Sequence, residues 1–373
     1  MKNAFALIYT GDASMQIREL TFSRSVAAVP FGGRYRIIDF MLSNLVNTGI
    51  YNVGVIAQKN YHSLMDHIES GKEWDLHRKR DGLFVLPPFV THDNTGVYRG
   101  TVDALRSCMG YIRRSEQDYV VLTGSHTIYN TTFSDMIEAH INSDADITIM
   151  YNEDDSKASE GPFDDLRLQI NENGYITDLE LNNPKTKKKY RSCDAFVMRK
   201  DTLEYLVEDT YSHARYDFTN DVLVTRSKEL RLKGWYYGGY VGRLNSVVDY
   251  YKHNMALLDK SVSSDLFNPE HPIYTKIKDE FPASYVGNGY AVNSVVADGC
   301  VIEGIVENSI LFRGVHIRPG AVVRNSIIMQ GGIVGEDSML DSVIMDKNVN
   351  VLDNRQLSGY CTYPLVIRKG RRV

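Results

Sequence analysis

Two polar loops each follow a short apolar run of the kind that forms a buried strand. The first loop covers residues 10–16 and follows the apolar residues 5–9. The second loop reads Thr123-Gly124-Ser125-His126 and follows residues 119–122. In open α/β sheets, ligands bind at the carboxyl ends of the strands. Any chemistry of this part of the chain is therefore predicted to lie in these two loops.

The segments around the loops alternate between strand and helix signals as far as residue 260, which is typical of an α/β domain. Further apolar runs at residues 51–57 and 145–151 predict strands of a parallel sheet that is covered on both faces. Residues 37–46 follow a helical period that ends before Gly49. One face of this helix is predicted to be buried, and it is formed by Ile38, Met41, Leu42 and Leu45.

The last part of the chain has a period of six instead. Apolar residues recur at every sixth position in groups, with small residues, glycine or aspartate between them. Such hexapeptide repeats predict a β-helix of about four coils, in which each side of a triangular coil points one aliphatic side chain inward. A β-sandwich, the alternative, has a period of two. The repeated positions are Val296, Ile302, Leu311, Ile317, Val323, Ile328, Val334, Leu340, Met345 and Val351.

The segment between these two regions is rich in proline and glycine, which is typical of an extended linker. The predicted division is an α/β domain over residues 1–260, a linker over 261–290 and a β-helix over 291–373.

The composition excludes several classes of function. The chain has 373 residues and a net charge of −5, which gives no reason to expect nucleic acid or a membrane as partner. No apolar run approaches the ~20 residues of a membrane span, and the apolar start fits a buried first strand better than a signal peptide. Free thiols in a reducing cytoplasm are expected rather than disulfides or a metal site, because the four cysteines are widely spaced. They are Cys108, Cys193, Cys300 and Cys361.

Residues 29–40, VPFGGRYRIIDF, closely resemble the bacterial glucose-1-phosphate adenylyltransferase (ADP-glucose pyrophosphorylase) family. The resemblance continues through residues 42–58 and through residues 306–315, VENSILFRGV, and covers nearly the whole chain. It implies a Rossmann-like nucleotidyltransferase domain of the GT-A type with a mixed sheet, followed by a left-handed parallel β-helix. It also implies a tetrameric complex that makes ADP-glucose from ATP and glucose 1-phosphate for glycogen synthesis.

The family reaction is attack of a sugar phosphate on the α-phosphorus of ATP, with pyrophosphate as the leaving group. Its catalysis rests on positioning and on neutralising the charge that develops. It needs a glycine-rich turn for the triphosphate, cationic side chains, and carboxylates that hold Mg²⁺. It needs no general base, because the attacking phosphate is already ionised. His126 is therefore expected to be structural.

The first loop lacks most of the family's Gly-Gly-x-Gly-x-Arg-Leu turn. Only Gly11 is retained, while Asp12 and Ser14 stand at glycine positions and Gln16 stands at the arginine position. Asp12 is expected to repel a triphosphate. The alternative is a shifted loop in which Arg18 takes the role of the arginine.

The other family motifs also lack their charged groups. Val26 replaces the lysine of the Arg-Ala-Lys-Pro-Ala motif, and Ser125 replaces the first metal-binding aspartate. Tyr240 falls at the second metal-binding aspartate, and Arg243 falls at the threonine of the same motif. The family's sugar-phosphate motif Glu-Glu-Lys-Pro reads LNNP here, followed by Lys185 in a loop that is expected to be solvated. The sequence therefore predicts no catalytic residue and no metal site.

One part of the family's substrate pocket is retained. The segment with Tyr98, Gly100, Thr101 and Asp103 resembles the family's substrate-side Gly-Thr-Ala-x-Ala motif, which makes these residues a candidate pocket remnant. The alternative is that Gly100 and Thr101 only begin a helix, with Thr101 as its cap.

A candidate anion site is implied by the same resemblance, because the Phe-Gly-Gly-basic-x-Arg segment of the family contributes to an effector site near the β-helix. Guanidinium groups of such a site bind phosphate well. The alternative is a frayed basic terminus, with local ion pairs to carboxylates such as Asp39. The candidate residues are Arg34, Arg36, Arg368, Lys369 and Arg371, with Arg372 beside them.

The chain retains the family's fold motifs but lacks its charged catalytic residues. This combination predicts a regulatory, non-catalytic subunit, similar to the GlgD-type subunit of the family. Such a cytoplasmic chain is expected to be inactive alone, to bind no cofactor, and to join a catalytic paralogue in a heterotetramer whose catalytic partner holds Mg²⁺. A phosphate-bearing effector is a possible ligand. Two alternatives remain, namely an active nucleotidyltransferase with an altered metal site and a stand-alone metabolite-binding sensor.

Overall fold

The computed structural model describes residues 3–11, 17–88, 98–154 and 165–373. Asp12, Ser14 and Gln16 of the first loop lie outside these described residues, as does the side chain of Arg18.

Among the described residues, the first domain is built on a nine-stranded mixed sheet. Strands β5, β4, β1 and β6 are parallel neighbours in that order, and β11 then pairs with β6 in the antiparallel direction. The strands of this domain are β1 Ala4–Tyr9, β2 Pro30–Phe31, β3 Tyr35–Arg36, β4 Asn52–Ile56, β5 Gly82–Leu86, β6 Tyr119–Gly124, β7 Thr127–Ile128, β8 Ile147–Glu153, β9 Leu166–Ile170, β10 Ile176–Leu181, β11 Tyr190–Arg199, β12 Leu232–Tyr236 and β13 Gly242–Arg243.

Helices cover both faces of the sheet, as the continuous apolar strands predict. In the described residues they are α1 Arg18–Thr21, α2 Ile37–Asn47, α3 His62–Ile68, α4 Thr101–Ser107, α5 Met109–Arg114, α6 Ser134–Ile141, α7 Lys200–Ser212, α8 Val247–Met255 and α9 Lys260–Leu266. Short 3-10 turns lie at Val26–Ala28, Lys72–Trp74 and Ala256–Leu258, and a π-helical segment lies at Phe218–Val224. Helices α4, α5 and α7 bury one face, and α2, α3 and α6 bury the other.

The predicted helix over residues 37–46 is confirmed as α2, and its predicted apolar face, Ile38, Met41, Leu42 and Leu45, is buried. The prediction for residues 145–151 was wrong in one respect. They form β8, but β8 pairs antiparallel with β11 and parallel with β12 instead of extending the first parallel series. A continuous apolar run requires burial on both faces of a sheet but does not set the direction of the strand.

The second domain is a three-sided left-handed β-helix, as predicted. Its fifteen strands form three parallel sheets of five strands each, so it has five coils where about four were predicted. The first sheet contains β14 Ser284–Tyr285, β17 Val301–Ile302, β20 His316–Ile317, β23 Ile333–Val334 and β26 Asn350–Val351. The second contains β15 Tyr290–Val292, β18 Ile305–Glu307, β21 Val322–Arg324, β24 Met339–Asp341 and β27 Gln356–Ser358. The third contains β16 Val295–Val296, β19 Ile310–Leu311, β22 Ile327–Ile328, β25 Val343–Met345 and β28 Leu365–Ile367.

The predicted inward positions are buried with one exception. Val296, in the first coil, is only half-buried, because one side of that coil has no neighbouring coil to cover it. The remaining nine positions are buried inside the helix.

The third sheet of the β-helix packs against the first domain. Ile310, Ile327 and Ile344 share one apolar cluster with Phe40 and Tyr250. Residues 267–283, inside the predicted linker, contain no helix or strand. Their first part contacts the first domain, where Asn47 donates to the Pro272 carbonyl at 3.1 Å. Asn130 fixes the start of this segment by donating to the carbonyls of Leu266 and His271. The two domains therefore share a buried boundary.

The first strand is buried, as predicted for an apolar start. Within the described ranges, no helix is both long and apolar enough to cross a bilayer. The cysteines are free thiols, as predicted, and three of the four are buried.

Candidate functional site

The second polar loop lies at the carboxyl end of β6, where the fold places ligands. It is fixed from two sides. Strand β7, which follows the loop, pairs with β13, and the Leu244 amide donates to the His126 carbonyl at 2.9 Å. On the other side, the Gly124 amide donates to the Asp194 carboxylate of β11. The loop therefore has a defined position between β11 and β13.

The two positions where the family places metal-binding aspartates hold no carboxylate here. Ser125 is buried, with 3% of its surface exposed. The hydroxyl of Tyr240 lies 2.6 Å from Nδ1 of His253 on α8. The Tyr240 side chain therefore contacts α8.

Arg243 places a buried guanidinium beside this loop. Its Nη2 donates to Oδ1 of Asn152 at 2.5 Å and to the Ser192 carbonyl at 2.9 Å, and its Nη1 lies 3.3 Å from Oδ2 of Asp154. Burial lowers the pKa of Arg243 to about 10, which still leaves it protonated at neutral pH. A fixed internal cation therefore lies beside the second loop, in the strand that pairs with residues 127–128.

The guanidinium of Arg243 is one end of a buried ion network. Asp154 also pairs with Arg191 at 3.1 Å, and Arg191 pairs with Asp165 at 2.8 Å. Asp165 in turn pairs with Arg167 at 2.9 Å, and both of these side chains are 2% exposed. Removing one partner of such a network leaves an uncompensated buried charge, so the network holds β9, β11 and β13 together.

Asp194 is a carboxylate that the sequence analysis missed. It lies at an irregularity between Ser192 and Phe196 in the pairing of β11 with β8, and its φ of 57° is in the left-handed region. Its Oδ2 is 3.5 Å from Nδ1 of His126. Burial raises the pKa of Asp194 to about 7, although Arg243 acts in the opposite direction. The only available signal was an aspartate inside the apolar strand sequence SCDAFVM.

The residues of this site do not fit the Mg²⁺ of the family reaction. Mg²⁺ takes ionised carboxylates in a near-octahedral arrangement, whereas Asp194 is a single carboxylate with a raised pKa beside an arginine. In the part of the chain that the structure describes, no group of three or more histidine, cysteine, aspartate or glutamate side chains is placed to hold a metal ion.

The position of the family's phosphate-binding lysine holds a buried apolar side chain here. Val26 is 1% exposed and belongs to the apolar cluster between the domains. Its neighbour Arg24 points to the β-helix, where Nη2 lies 2.7 Å from both carboxylate oxygens of Asp346. Neither side chain is available to a nucleotide.

The residues of the candidate pocket remnant are in contact with neighbouring elements of the first domain. Tyr98 is buried and accepts a hydrogen bond from Ser107 at 2.8 Å, and Asp103 pairs with Arg99. The cap residue of α4 is Gly100 and not Thr101, which the alternative interpretation of this segment named as the cap. The chain approaches so closely here that a Cβ on Gly100 would lie 2.3 Å from the Tyr216 carbonyl oxygen.

Replacing Gly100 with alanine is expected to lower the free energy of unfolding by about 1–3 kcal/mol, because the added methyl meets a backbone oxygen. The matched control is Gly110→Ala. A Cβ at Gly110 meets nothing within 4 Å, and alanine favours a helix by about 0.5–1 kcal/mol over glycine. Urea denaturation of both variants measures the contrast. Equal stability of the two variants would show that the backbone is not held so closely.

Arg34 and Arg36 line a cavity of about 190 Å³ between the domains. The guanidinium of Arg36 donates to the carbonyl of Ser63 at 2.6 Å and does not pair with Asp39, which instead binds His67 at 2.5 Å. The other cations of the lining come from the linker and from the β-helix, and they are Lys276, Lys278, Arg313 and Lys347.

The charges in the cavity are strongly unbalanced. Among the described residues, six cations and one carboxylate, that of Asp66, line it, and Lys276 and Arg313 also pair with Glu69 and Asp298 outside the lining. Burial lowers the pKa of Lys347 to about 7, and the neighbouring Arg36, Arg24 and Lys278 add to this effect. A cavity that holds so much positive charge favours an anion.

The basic terminus is not part of this cavity. Arg368, Lys369 and Arg371 are exposed and are absent from its lining. The terminus is not frayed either, because the Asn350 amide donates to the Arg371 carbonyl and the Gly370 amide donates to that of Lys347. The structure thus brings Arg34 and Arg36 together but does not place the tail beside them.

Comparison with known proteins agrees with this architecture. The nucleotidyl transferase family model matches residues 5–232, and the GlmU-like C-terminal hexapeptide model matches residues 281–359. The chain is 38% identical to the glycogen biosynthesis protein GlgD of Bacillus subtilis (strain 168) over 95% of this chain and 92% of that protein. It is 32% identical to the glucose-1-phosphate adenylyltransferase of Acetivibrio thermocellus over 95% of this chain and 83% of that enzyme.

The chain belongs to the bacterial glucose-1-phosphate adenylyltransferase family. A second GlgD protein, from Geobacillus stearothermophilus, is 38% identical over 82% of this chain and 79% of its own length. The adenylyltransferase of Thermomicrobium roseum is 34% identical over 96% of this chain. The predicted family and fold class are therefore confirmed.

Proposed function

We propose that this chain is a regulatory, non-catalytic subunit of a glucose-1-phosphate adenylyltransferase and supports ADP-glucose synthesis for glycogen. In this proposal it works in the cytoplasm, joins a catalytic paralogue in a heterotetramer and binds no cofactor itself. The Mg²⁺ of the reaction is held by the catalytic partner. The similarity to two GlgD proteins, named for glycogen biosynthesis, supports the pathway.

One observation carries the proposal. The buried guanidinium of Arg243, held by Asn152, Ser192 and Asp154, lies beside a loop whose metal-binding position is Ser125. A guanidinium held in this way disfavours a second cation beside it, and breaking its network would cost several kcal/mol.

Calorimetric titration of the purified chain with ATP, with and without Mg²⁺, tests this site directly. No Mg²⁺-dependent binding is expected. Micromolar ATP binding that requires Mg²⁺ and disappears in Tyr9→Ala/Gly11→Val, which alters the start of the first loop, would contradict the proposal.

A second candidate function, an adenylyltransferase with an altered metal site, is favoured only by Asp194. Its carboxylate lies at the loop where the family has an aspartate, and it is 27% exposed. This alternative predicts ADP-glucose synthesis by the chain alone that is lost in Asp194→Asn and retained in Ser125→Ala. If the wild type and both variants make no ADP-glucose, this alternative is wrong and the regulatory role is retained.

We also propose that the cavity between the domains binds a phosphate-bearing effector. Arg34 and Arg36 were expected in such a site, and Arg313 and Lys347 of the β-helix complete it. Because its cations come from both domains, a dianion there would strengthen the contact between them.

Sulfate binding to this cavity is expected to weaken as pH rises from 6 to 9. Lys347 has a pKa of about 7, so it is charged at the lower pH and neutral at the higher one, whereas sulfate stays a dianion throughout. Calorimetry should show this loss in the wild-type chain and a weaker, pH-independent binding in Lys347→Met. Lys369→Met, a tail residue outside the cavity, should behave as wild type. A pH dependence that survives in Lys347→Met would contradict the assignment.

A further inference from the structure

The last corner of the β-helix differs from the equivalent corners of the earlier coils. In those coils a residue with positive φ, namely Asn293, Asn308, Asn325 or Ser342, leads from the second sheet to the third. In the last coil Gly359 follows β27 at the position of Ser342, but Leu365 is the residue that pairs with Val343. Residues 360–364 are therefore an insertion of five residues.

The insertion is a hydrogen-bonded hairpin with two exposed aromatic side chains. Tyr360 and Tyr363 exchange backbone hydrogen bonds of 3.0 and 2.9 Å, which close the turn between them. Their side chains are 75% and 80% exposed, respectively. Large apolar surfaces of this kind, fixed in place and open to solvent, are typical of contact sites.

The last coil and the residues that follow it carry five exposed cations, Arg355, Arg368, Lys369, Arg371 and Arg372. In the described residues none of them is in an ion pair within 4.0 Å. The backbone that carries the last four is tied to the first strand of this last coil, since the Val373 amide donates to the Asn350 carbonyl at 3.0 Å. The guanidinium of Arg368 also lies 5.6 Å from the ring of Phe22, an aromatic residue of the first domain that is 67% exposed.

We propose that this end surface, defined by the hairpin tyrosines, Phe22 and the five cations, docks onto an acidic face of the catalytic subunit. The inference rests on the proposed function and adds the place of contact. Tyrosine and arginine are enriched among the residues that dominate binding energy at interfaces. A surface whose backbone is already ordered loses little conformational entropy when it binds.

The distribution of charge decides between the possible occupants. The whole chain has a net charge of −5, and without these five cations the remainder carries −10. An extended polyanion such as RNA would run past the five cations onto that acidic remainder, and it would be repelled wherever it came within the ~8–10 Å screening length. If two copies of this chain met through this end, the five cations of one copy would face the five cations of the other and repel them. An acidic protein face with apolar slots has neither disadvantage.

The test is the affinity of the full-length chain for the catalytic subunit of the same organism, measured by biolayer interferometry at 50 and 300 mM NaCl. Tyr360→Ser/Tyr363→Ser removes the aromatic anchors, and Lys369→Glu/Arg371→Glu reverses two charges. The matched controls lie on the first domain. They are Tyr205→Ser, at a tyrosine that is 60% exposed, and Lys187→Glu/Lys189→Glu.

Each end-surface variant is expected to bind at least about tenfold more weakly than wild type, and each control within about twofold. Raising the salt concentration should weaken the binding of the wild type more than the binding of Lys369→Glu/Arg371→Glu. Wild-type affinity in both variants would overturn the end surface and leave the regulatory role intact. No binding by the wild type would overturn the regulatory role as well. The wild type and the controls could instead bind heparin or glycogen, or associate with themselves. If the end-surface variants alone lost such binding, the proposed occupant would be overturned.

Discussion

Asp346→Ala is expected to lower the free energy of unfolding by about 3–5 kcal/mol, because the change leaves a buried charge without its partner. Arg24 and Asp346 are each 3% exposed in their side chains, and both carboxylate oxygens lie 2.7 Å from the guanidinium. Without the carboxylate, Arg24 is an unpaired charge at the buried boundary between the domains. Chemical denaturation followed by fluorescence measures the loss.

Two further proteins make this result specific. Arg24→Met/Asp346→Leu removes both charges and should be more stable than Asp346→Ala, since buried ion pairs can be replaced by apolar side chains of similar size. Glu116→Ala removes a surface partner of Arg80, at 3.5 Å with both side chains at least 80% exposed, and should change stability by less than about 1 kcal/mol. If Asp346→Ala unfolds at the same denaturant concentration as the wild type, this ion pair does not hold the domains together.

The second large effect concerns the rescue of catalysis. Ser125→Asp alone is expected to give no ADP-glucose above background with Mg²⁺ or Mn²⁺, because the buried Arg243 and the degenerate first loop remain. Combining it with Tyr240→Asp, Arg243→Thr and a glycine-rich turn at residues 11–16 should raise activity, or at least Mg²⁺-dependent nucleotide binding. Each electrostatic group of this kind is worth about 10²–10³ in rate.

The control for this series is Ser212→Asp, which adds a carboxylate at an exposed residue of α7. Circular dichroism shows which of the combined variants remain folded. A large gain in synthesis from Ser125→Asp alone would mean that the other losses matter little and that the site needs only one carboxylate.

The sequence was sufficient for features that local patterns determine. The period of six predicted the inward positions of the β-helix, and the helical period predicted the buried face of α2. The replaced residues Val26, Ser125 and Tyr240 were recognised because motifs are local. Val26 and Ser125 are buried in the structure, and Tyr240 is bound to His253.

The features that were missed depend on contacts between distant parts of the chain. Lys347 and Arg313 reach the cavity of Arg34 and Arg36 only because the third sheet packs against the first domain. Asp194 faces the second loop because of a local irregularity in β11, which no periodicity reveals. The direction of β8 and the cap at Gly100 were likewise set by neighbours in space.

The central claim is that this chain assists catalysis without performing it. The most direct measurement is ADP-glucose synthesis by three preparations, namely this chain alone, the catalytic subunit of the same organism alone, and the two co-expressed. We expect background activity for the chain alone, and a co-purified complex whose activity or effector response differs from that of the catalytic subunit alone. Robust synthesis by the homogeneous chain alone, abolished by Asp194→Asn, would contradict it.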